Sequence, residues 1–213
     1  MTAVLLGLYS CGKDEPEKEK QIPLLPLNVG NSWTHEQTWH GQDRKETVRM
    51  EINSLHVIDG YERFALSEYE KGMPISLLNS DDEGNCVEYL FNRDAFVHKM
   101  MVFKNHLQKG DKWIYLSAVY SNYDYSKYKI EEMEMTCCAA DTLIVTPKGS
   151  FRCVGFSHHP GGCDDTGEPL HTMFQFLSAG AGIVKYVHYE HDNGKTTLFT
   201  DRVLTDYSLK QGV

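Results

Sequence analysis

The chain has 213 residues, 41% apolar, 24% charged and 11% aromatic, and its 21 Lys and Arg against 30 Asp and Glu give a net charge of -9. That length buries a core without metal or disulfide staples, and the acidic balance excludes a wholesale nucleic-acid binder, whose phosphate contacts need a basic face. No apolar run approaches the roughly 20 residues that cross a bilayer as a helix.

Residues 1–10 read as the remnant of a signal peptide: Ala3 to Tyr9 is apolar, and Ser10 is the small residue expected before a cleavage point. Leu8-Tyr9-Ser10-Cys11 resembles a bacterial lipobox, which implies lipidation of Cys11 and its exposure as the mature N-terminus. The apolar run is short and no Lys or Arg precedes it, so a start codon upstream of Met1 is expected. Gly12 to Lys20 holds three Lys, four acidic residues, one Pro and nothing apolar, so residues 11–21 are expected to be a lipidated Cys and a solvated tether. Cys11-Gly12-Lys13-Asp14-Glu15 is similar to the acidic export signal of Bacteroidota surface lipoproteins. This resemblance implies an outer-membrane lipoprotein exposed at the surface; a plain linker facing the periplasm is the alternative.

Residues 22–213 show period-two alternation and turn signals with hardly any helical periodicity. Strands are predicted at Ser32–His40, Glu46–Ile58, Tyr61–Glu70, Cys86–Phe91, Ala95–Phe103 and Trp113–Val119, then at Thr142–Thr146, Phe151–His158, Leu170–Leu177, Gly182–His191 and Thr196–Leu204. Asp59-Gly60, the polar cluster Ser80–Asn85, Lys109–Asp111 and Asn193-Gly194 separate them as turns. The expected fold is all-β, a single-domain antiparallel meander forming a sandwich or a partly open barrel. Gly30-Asn31-Ser32-Trp33 and Gly110-Asp111-Lys112-Trp113 both place Gly-Asn/Asp-x-Trp at a strand entrance, which predicts a two-part sheet with equivalent entries.

Pro26-Leu27-Asn28-Val29-Gly30-Asn31-Ser32-Trp33, Val145–Cys153 and Gly180–Lys185 together resemble a broad group of uncharacterised Bacteroidota-type secreted and lipoprotein domains. In that group a P-L-x-x-G-N-x-W start opens a long meander. The resemblance implies a β-rich extracytoplasmic fold and no particular activity.

Apart from Cys11, five cysteines remain, so at least one thiol stays unpaired within the chain. Adjacent Cys137 and Cys138 would point to opposite faces of a strand. Cys153 and Cys163, ten residues apart across a turn-rich loop, form the favoured disulfide; reduced thiols packed in the core are the alternative, and the states of Cys86, Cys137 and Cys138 stay open. The loop His158-His159-Pro160-Gly161-Gly162-Cys163-Asp164-Asp165 carries zinc-type donors, with Cys153 and His171 as further ones. It lacks any established ligand spacing, however, and His188 and His191 would fall on opposite faces of a strand. No metal and no cofactor is therefore assigned, with His158, His159, Cys163 and Asp164 as the candidates should one bind.

No Gly-x-Ser-x-Gly elbow or phosphate loop is present, and Gly180-Ala181-Gly182 lacks the third glycine and the helix of a dinucleotide site. A non-enzyme is expected. Tyr120, Tyr123, Tyr125 and Tyr128, interleaved with small polar residues, suit a glycan or peptide ligand, tyrosine being rigid and amphipathic; an aromatic strand covering the edge of the core is the other reading. The first functional reading is thus a membrane-anchored lipoprotein displaying a non-enzymatic binding domain. The second is a carrier or chaperone holding a lipid or apolar peptide in a half-open barrel lined by Met100, Met101, Phe103, Phe174 and Phe176. The third is a metal-dependent hydrolase built on His158, His159, Cys163 and Asp164.

Overall fold

The structure is a computed structural model that describes residues 21–58, 60–68, 74–91, 97–121, 124–159 and 169–210. Its strands are β1 (Ser32–Trp39), β2 (Arg44–Ile58), β3 (Tyr61–Glu68), β4 (Pro74–Ser80), β5 (Cys86–Phe91) and β6 (Val97–Phe103), then β7 (Lys112–Ser121), β8 (Asp124–Thr146), β9 (Gly149–His158), β10 (His171–Ser178), β11 (Gly182–Asp192) and β12 (Lys195–Ser208). All twelve join one antiparallel sheet in the order β6-β5-β4-β3-β2-β1-β12-β11-β10-β9-β8-β7. The meander turns back on itself through the β1–β12 ladder, and its two edges, β6 and β7, are consecutive in the chain.

One face of every strand feeds a single core. Trp33, Ile52, Leu66, Leu78, Cys86 and Phe103 come from β1 to β6; Tyr115, Met135, Phe156, Leu177, Val184 and Leu204 come from β7 to β12. The sheet thus curls around its own interior as a barrel left open along one seam. Side chains bridge that seam: the Phe156 ring meets Phe103 edge-on at 5.2 Å and Trp113 at 6.0 Å.

The two Gly-Asn/Asp-x-Trp segments open the two six-stranded halves, β1–β6 and β7–β12. Each is bracketed in the same way. Gly30 N donates to Ile52 O (2.7 Å) and Ile52 N to Asn31 O (2.9 Å); Gly110 N donates to Cys137 O (2.8 Å) and Cys137 N to Asp111 O (2.8 Å). Trp33 is wholly buried and donates Nε1–H to Ala181 O at 2.6 Å.

Two stretches of strand lie outside the sequence expectation. β4 lacks alternation because Leu77 and Leu78 are both buried, one on each face, and its Pro74 stands first, where a missing N–H costs no ladder bond. The leading part of β8 alternates Met133, Met135 and Cys137 with Glu132 and Glu134, a period of two that the neighbouring tyrosines obscure.

Strand directions put residues 29–31, 60, 81–85, 104–111, 147–148 and 179–181 at one end of the barrel. The leading segment, residues 21–31, closes this end, with Leu24 and Leu25 buried. Its backbone is tied to three turns: Leu24 N donates to Gly84 O, Gly180 N to Pro23 O, and Asn105 Nδ2 to Ile22 O. Gly182, at φ +89°, is required here, because a Cβ would lie 2.7 Å from Leu25 Cδ1 and 2.8 Å from Trp33 Nε1.

Candidate functional site

Where the strands curl, a cavity of about 370 Å³ remains between the two halves of the interior. That volume lies in the range of about 300–1,000 Å³ usual for small-molecule sites. Its two walls differ. Met50, Leu66, Leu78, Cys86 and Phe103, contributed by β2 to β6, make an apolar wall, in which Glu88 is the single carboxylate among the described residues. Leu25 of the closing segment contributes to the lining.

The opposite wall, from β1, β11 and β12, is polar. Gln37 is buried, and its Oε1 accepts a hydrogen bond from Arg202 Nε. The Arg202 guanidinium lies over the Tyr186 ring, 5.9 Å from its centroid, a cation–π contact. Burial pushes the Tyr186 hydroxyl up to about 12, against the opposing pull of Arg202, so it stays a neutral donor. His35 donates Nε2–H to Ile183 O at 3.1 Å, which leaves Nδ1 a bare acceptor with no protein partner. Burial holds this imidazole neutral, its pKa lowered to about 4. Trp39, Phe199 and His188 stack edge to face at the far end, with Trp39–Phe199 at 5.2 Å and His188–Phe199 at 5.1 Å.

Beside this end stands a histidine set. His171 pairs with Glu190 across the β10–β11 ladder, and His188, two residues before Glu190, shares their face. His188 Nε2 and His171 Nδ1 are 3.2 Å apart, and one ligand atom from each of the three residues lies within 4.8 Å of the others. Burial lowers the His188 pKa, with the neighbouring His171 acting in the same direction and Glu190 opposing.

The residues singled out from sequence fare differently. His158 and His159 face opposite ways. His158 is buried, shares a 2.7 Å hydrogen bond with Tyr115 Oη and is pulled down to about 4 by burial, then by His159 and His188. His159 is exposed and bonds Thr172 Oγ1, which also bonds His191 Nε2. Cys163 and Asp164 lie outside the described residues. Cys153 is a buried free thiol, pushed up to about 12 by burial, and Cys86 and Cys137 are also buried and free. Such thiols are poor nucleophiles and ligands, because the thiolate is disfavoured. Cys138 is half-buried beside Gly155 on the other face from Cys137. In the tyrosine segment, Tyr120 and Tyr128 pair in register between β7 and β8, Tyr125 lies in β8, and Tyr123 lies outside the described residues.

Of the lining expected for a carrier, Phe103 faces the cavity. Phe174 and Phe176 do not: Gln175 and Leu177 point inward, so the alternation sends both phenylalanines to the outer face, where Phe174 meets Tyr189 at 5.9 Å. The side chains of Met100 and Met101 lie outside the described residues. The polar wall was invisible in the sequence, since Gln37, Tyr186 and Arg202 come from three strands and carry no common spacing. The His188-x-Glu190 pair was legible as a same-face pair in a strand; that His171 stands opposite depends on register.

No protein-family model matches the chain, and no curated protein matches it in sequence. Among solved structures it is similar to a Parabacteroides distasonis protein classed as a lipoprotein, at 12% identity over 89% of this chain and 100% of that one, with a TM-score of 0.45. It is also similar to a Bacteroides fragilis protein classed as exported and described as having a YmcC-like fold, at 11% identity over 87% and 98% of the two chains, with a TM-score of 0.43.

Proposed function

We propose that this chain is a lipid-anchored exported protein whose open barrel carries an amphipathic small molecule, its apolar body against the β2–β6 wall and its polar group at Arg202, Gln37 and Tyr186. The observation that carries this reading is the cavity of about 370 Å³ with one apolar and one polar wall. An apolar cavity with a few convergent polar groups is the usual form of a small-molecule site. Two observations agree with an anchor through Cys11. Residues 12–20 directly precede, in the chain, the segment that closes one end of the barrel. At or near the same end stand eight of the nine exposed large apolar side chains among the described residues, Ile22, Val57 and Val145 included, with Leu170 the exception. Gly12 to Lys20 spans at most about 30 Å when extended, so that end would sit close to the lipid surface.

The test uses a fluorescent fatty-acid analogue and its methyl ester, titrated into the purified chain. Saturable binding near one equivalent is expected, with Leu66→Trp filling the cavity and removing it while the far-ultraviolet circular dichroism of the sheet persists. Arg202→Met should weaken the acid roughly tenfold, about 1.4 kcal/mol, and leave the ester little changed. A folded wild-type chain that binds neither probe overturns the carrier reading in favour of a surface binding module. In that reading the Tyr120–Tyr128 pair near the β7 edge, with Tyr123 and Tyr125, would contact a glycan or peptide.

A further inference from the structure

We infer that His171, His188 and Glu190 bind one divalent transition-metal ion, with zinc the best match to the donors, at the rim of the cavity. Two imidazoles and one carboxylate are an established zinc set that leaves a fourth position for water or ligand, and they also suit other first-row divalent ions. The spacing fits. Two Zn–N bonds of 2.0–2.1 Å at a tetrahedral angle separate the nitrogens by about 3.3 Å, and His188 Nε2 and His171 Nδ1 stand 3.2 Å apart. All three donor atoms lie within 4.8 Å of one another, a separation that side-chain adjustment can close on an ion.

The scaffold supports the geometry. His171 and Glu190 are direct partners in an antiparallel ladder and His188 is two residues along the same strand, so all three Cβ positions are set by strand register rather than by a loop. The His188 ring is wedged between His171, at 5.1 Å, and Phe199, also at 5.1 Å. All three residues are half-buried, which limits the water that competes for an ion. His188 also lines the cavity, so the open coordination position borders the space assigned above to the ligand. The inference does not rest on that assignment: an empty cavity leaves the three donors where they are.

Stripped of metal with a chelator, the purified chain is titrated with Zn²⁺ by calorimetry and with Co²⁺ by visible absorption, and melting temperatures confirm folding. Expected are one equivalent of Zn²⁺, the intense visible bands of a tetrahedral Co²⁺ site, and a higher melting temperature with metal. Glu190→Gln, which keeps shape and removes charge, and His188→Gln should each weaken binding roughly tenfold or more. His159→Ala, on the outer face, should leave it unchanged. Absence of saturable binding by the folded wild type overturns the inference, as does binding that survives both Glu190→Gln and His188→Gln, or binding that His159→Ala abolishes. Amphiphile binding without metal binding would defeat this site alone, and the reverse would defeat the carrier reading alone.

Discussion

His35 and His158 are both buried, and each keeps one ring nitrogen without a protein hydrogen bond. Burial lowers both from 6.5 to about 4. Each therefore stays neutral in the fold at pH values where the unfolded chain would protonate it, and unfolding takes up a proton. Their contribution is complete above pH 6.5, falls as the pH drops from 6.5 towards 4, and levels off below. Between pH 8 and 5 each histidine should cost about 2 kcal/mol of stability. Urea unfolding at a series of pH values should show this loss, and His35→Gln should lessen the slope by about one proton. A slope unchanged in that variant would mean that His35 is already charged in the fold. The vicinal histidines do not act together, because the alternating backbone sends His158 to the core and His159 to solvent.

At the scale of elements, strand contacts depend on which face each side chain takes. β9 lies between β8 and β10, and Gly155 on it fits closely beneath its neighbours. A Cβ there would stand 2.8 Å from Phe176 Cε1 and 2.9 Å from Cys138 Sγ. Gly155→Ala should therefore destabilise by about 1–3 kcal/mol, as overpacking does, despite the alanine's better fit to an extended backbone. Phe176→Leu should recover part of that loss, and a double-mutant cycle from urea midpoints measures it. Simple additivity of the two changes would show that Phe176 is not what the new methyl meets. Hairpins are where the sequence was most legible. Asn193 and Gly194 have φ of +50° and +73°, the paired positive angles that Asn-Gly favours in a two-residue turn, and they join β11 to β12 as expected. β4 was missed for the opposite reason: a strand buried on both faces carries no alternation to read.

Across the whole molecule, closure of the sheet at β1–β12 and its opening at β6–β7 leave one end blocked by the leading segment and the interior only partly filled. Leu24 and Leu25 both close that end, yet of the two only Leu25 lines the cavity. Each Leu→Ala change should cost about 2–5 kcal/mol by urea unfolding. Leu25→Ala should also alter amphiphile affinity, whereas Leu24→Ala should leave it unchanged in the fraction that remains folded. Equal effects of both on affinity would mean that the plug acts on the ligand only through global stability.

Local chemistry was enough to determine the strand-rich class, the turns and the two tryptophan-bearing entrances, because alternation, Asn-Gly pairs and the Gly-Asn/Asp-x-Trp segments act within a few residues of themselves. Even the opposed faces of Cys137 and Cys138 follow from strand geometry alone. Long-range register decided the rest. His171 lies opposite Glu190 because β10 and β11 pair in one register, and a slip of one residue would have sent it to the other face. Phe174 and Phe176 face outward because Gln175 and Leu177 take the inner positions. The polar wall of Gln37, Tyr186 and Arg202 exists only because β1 and β12, 165 residues apart at the Arg202–Gln37 bond, meet to close the sheet. Only the folded sheet sets such distances, since a ladder joins residues by hydrogen bonds between strands whatever their separation along the chain.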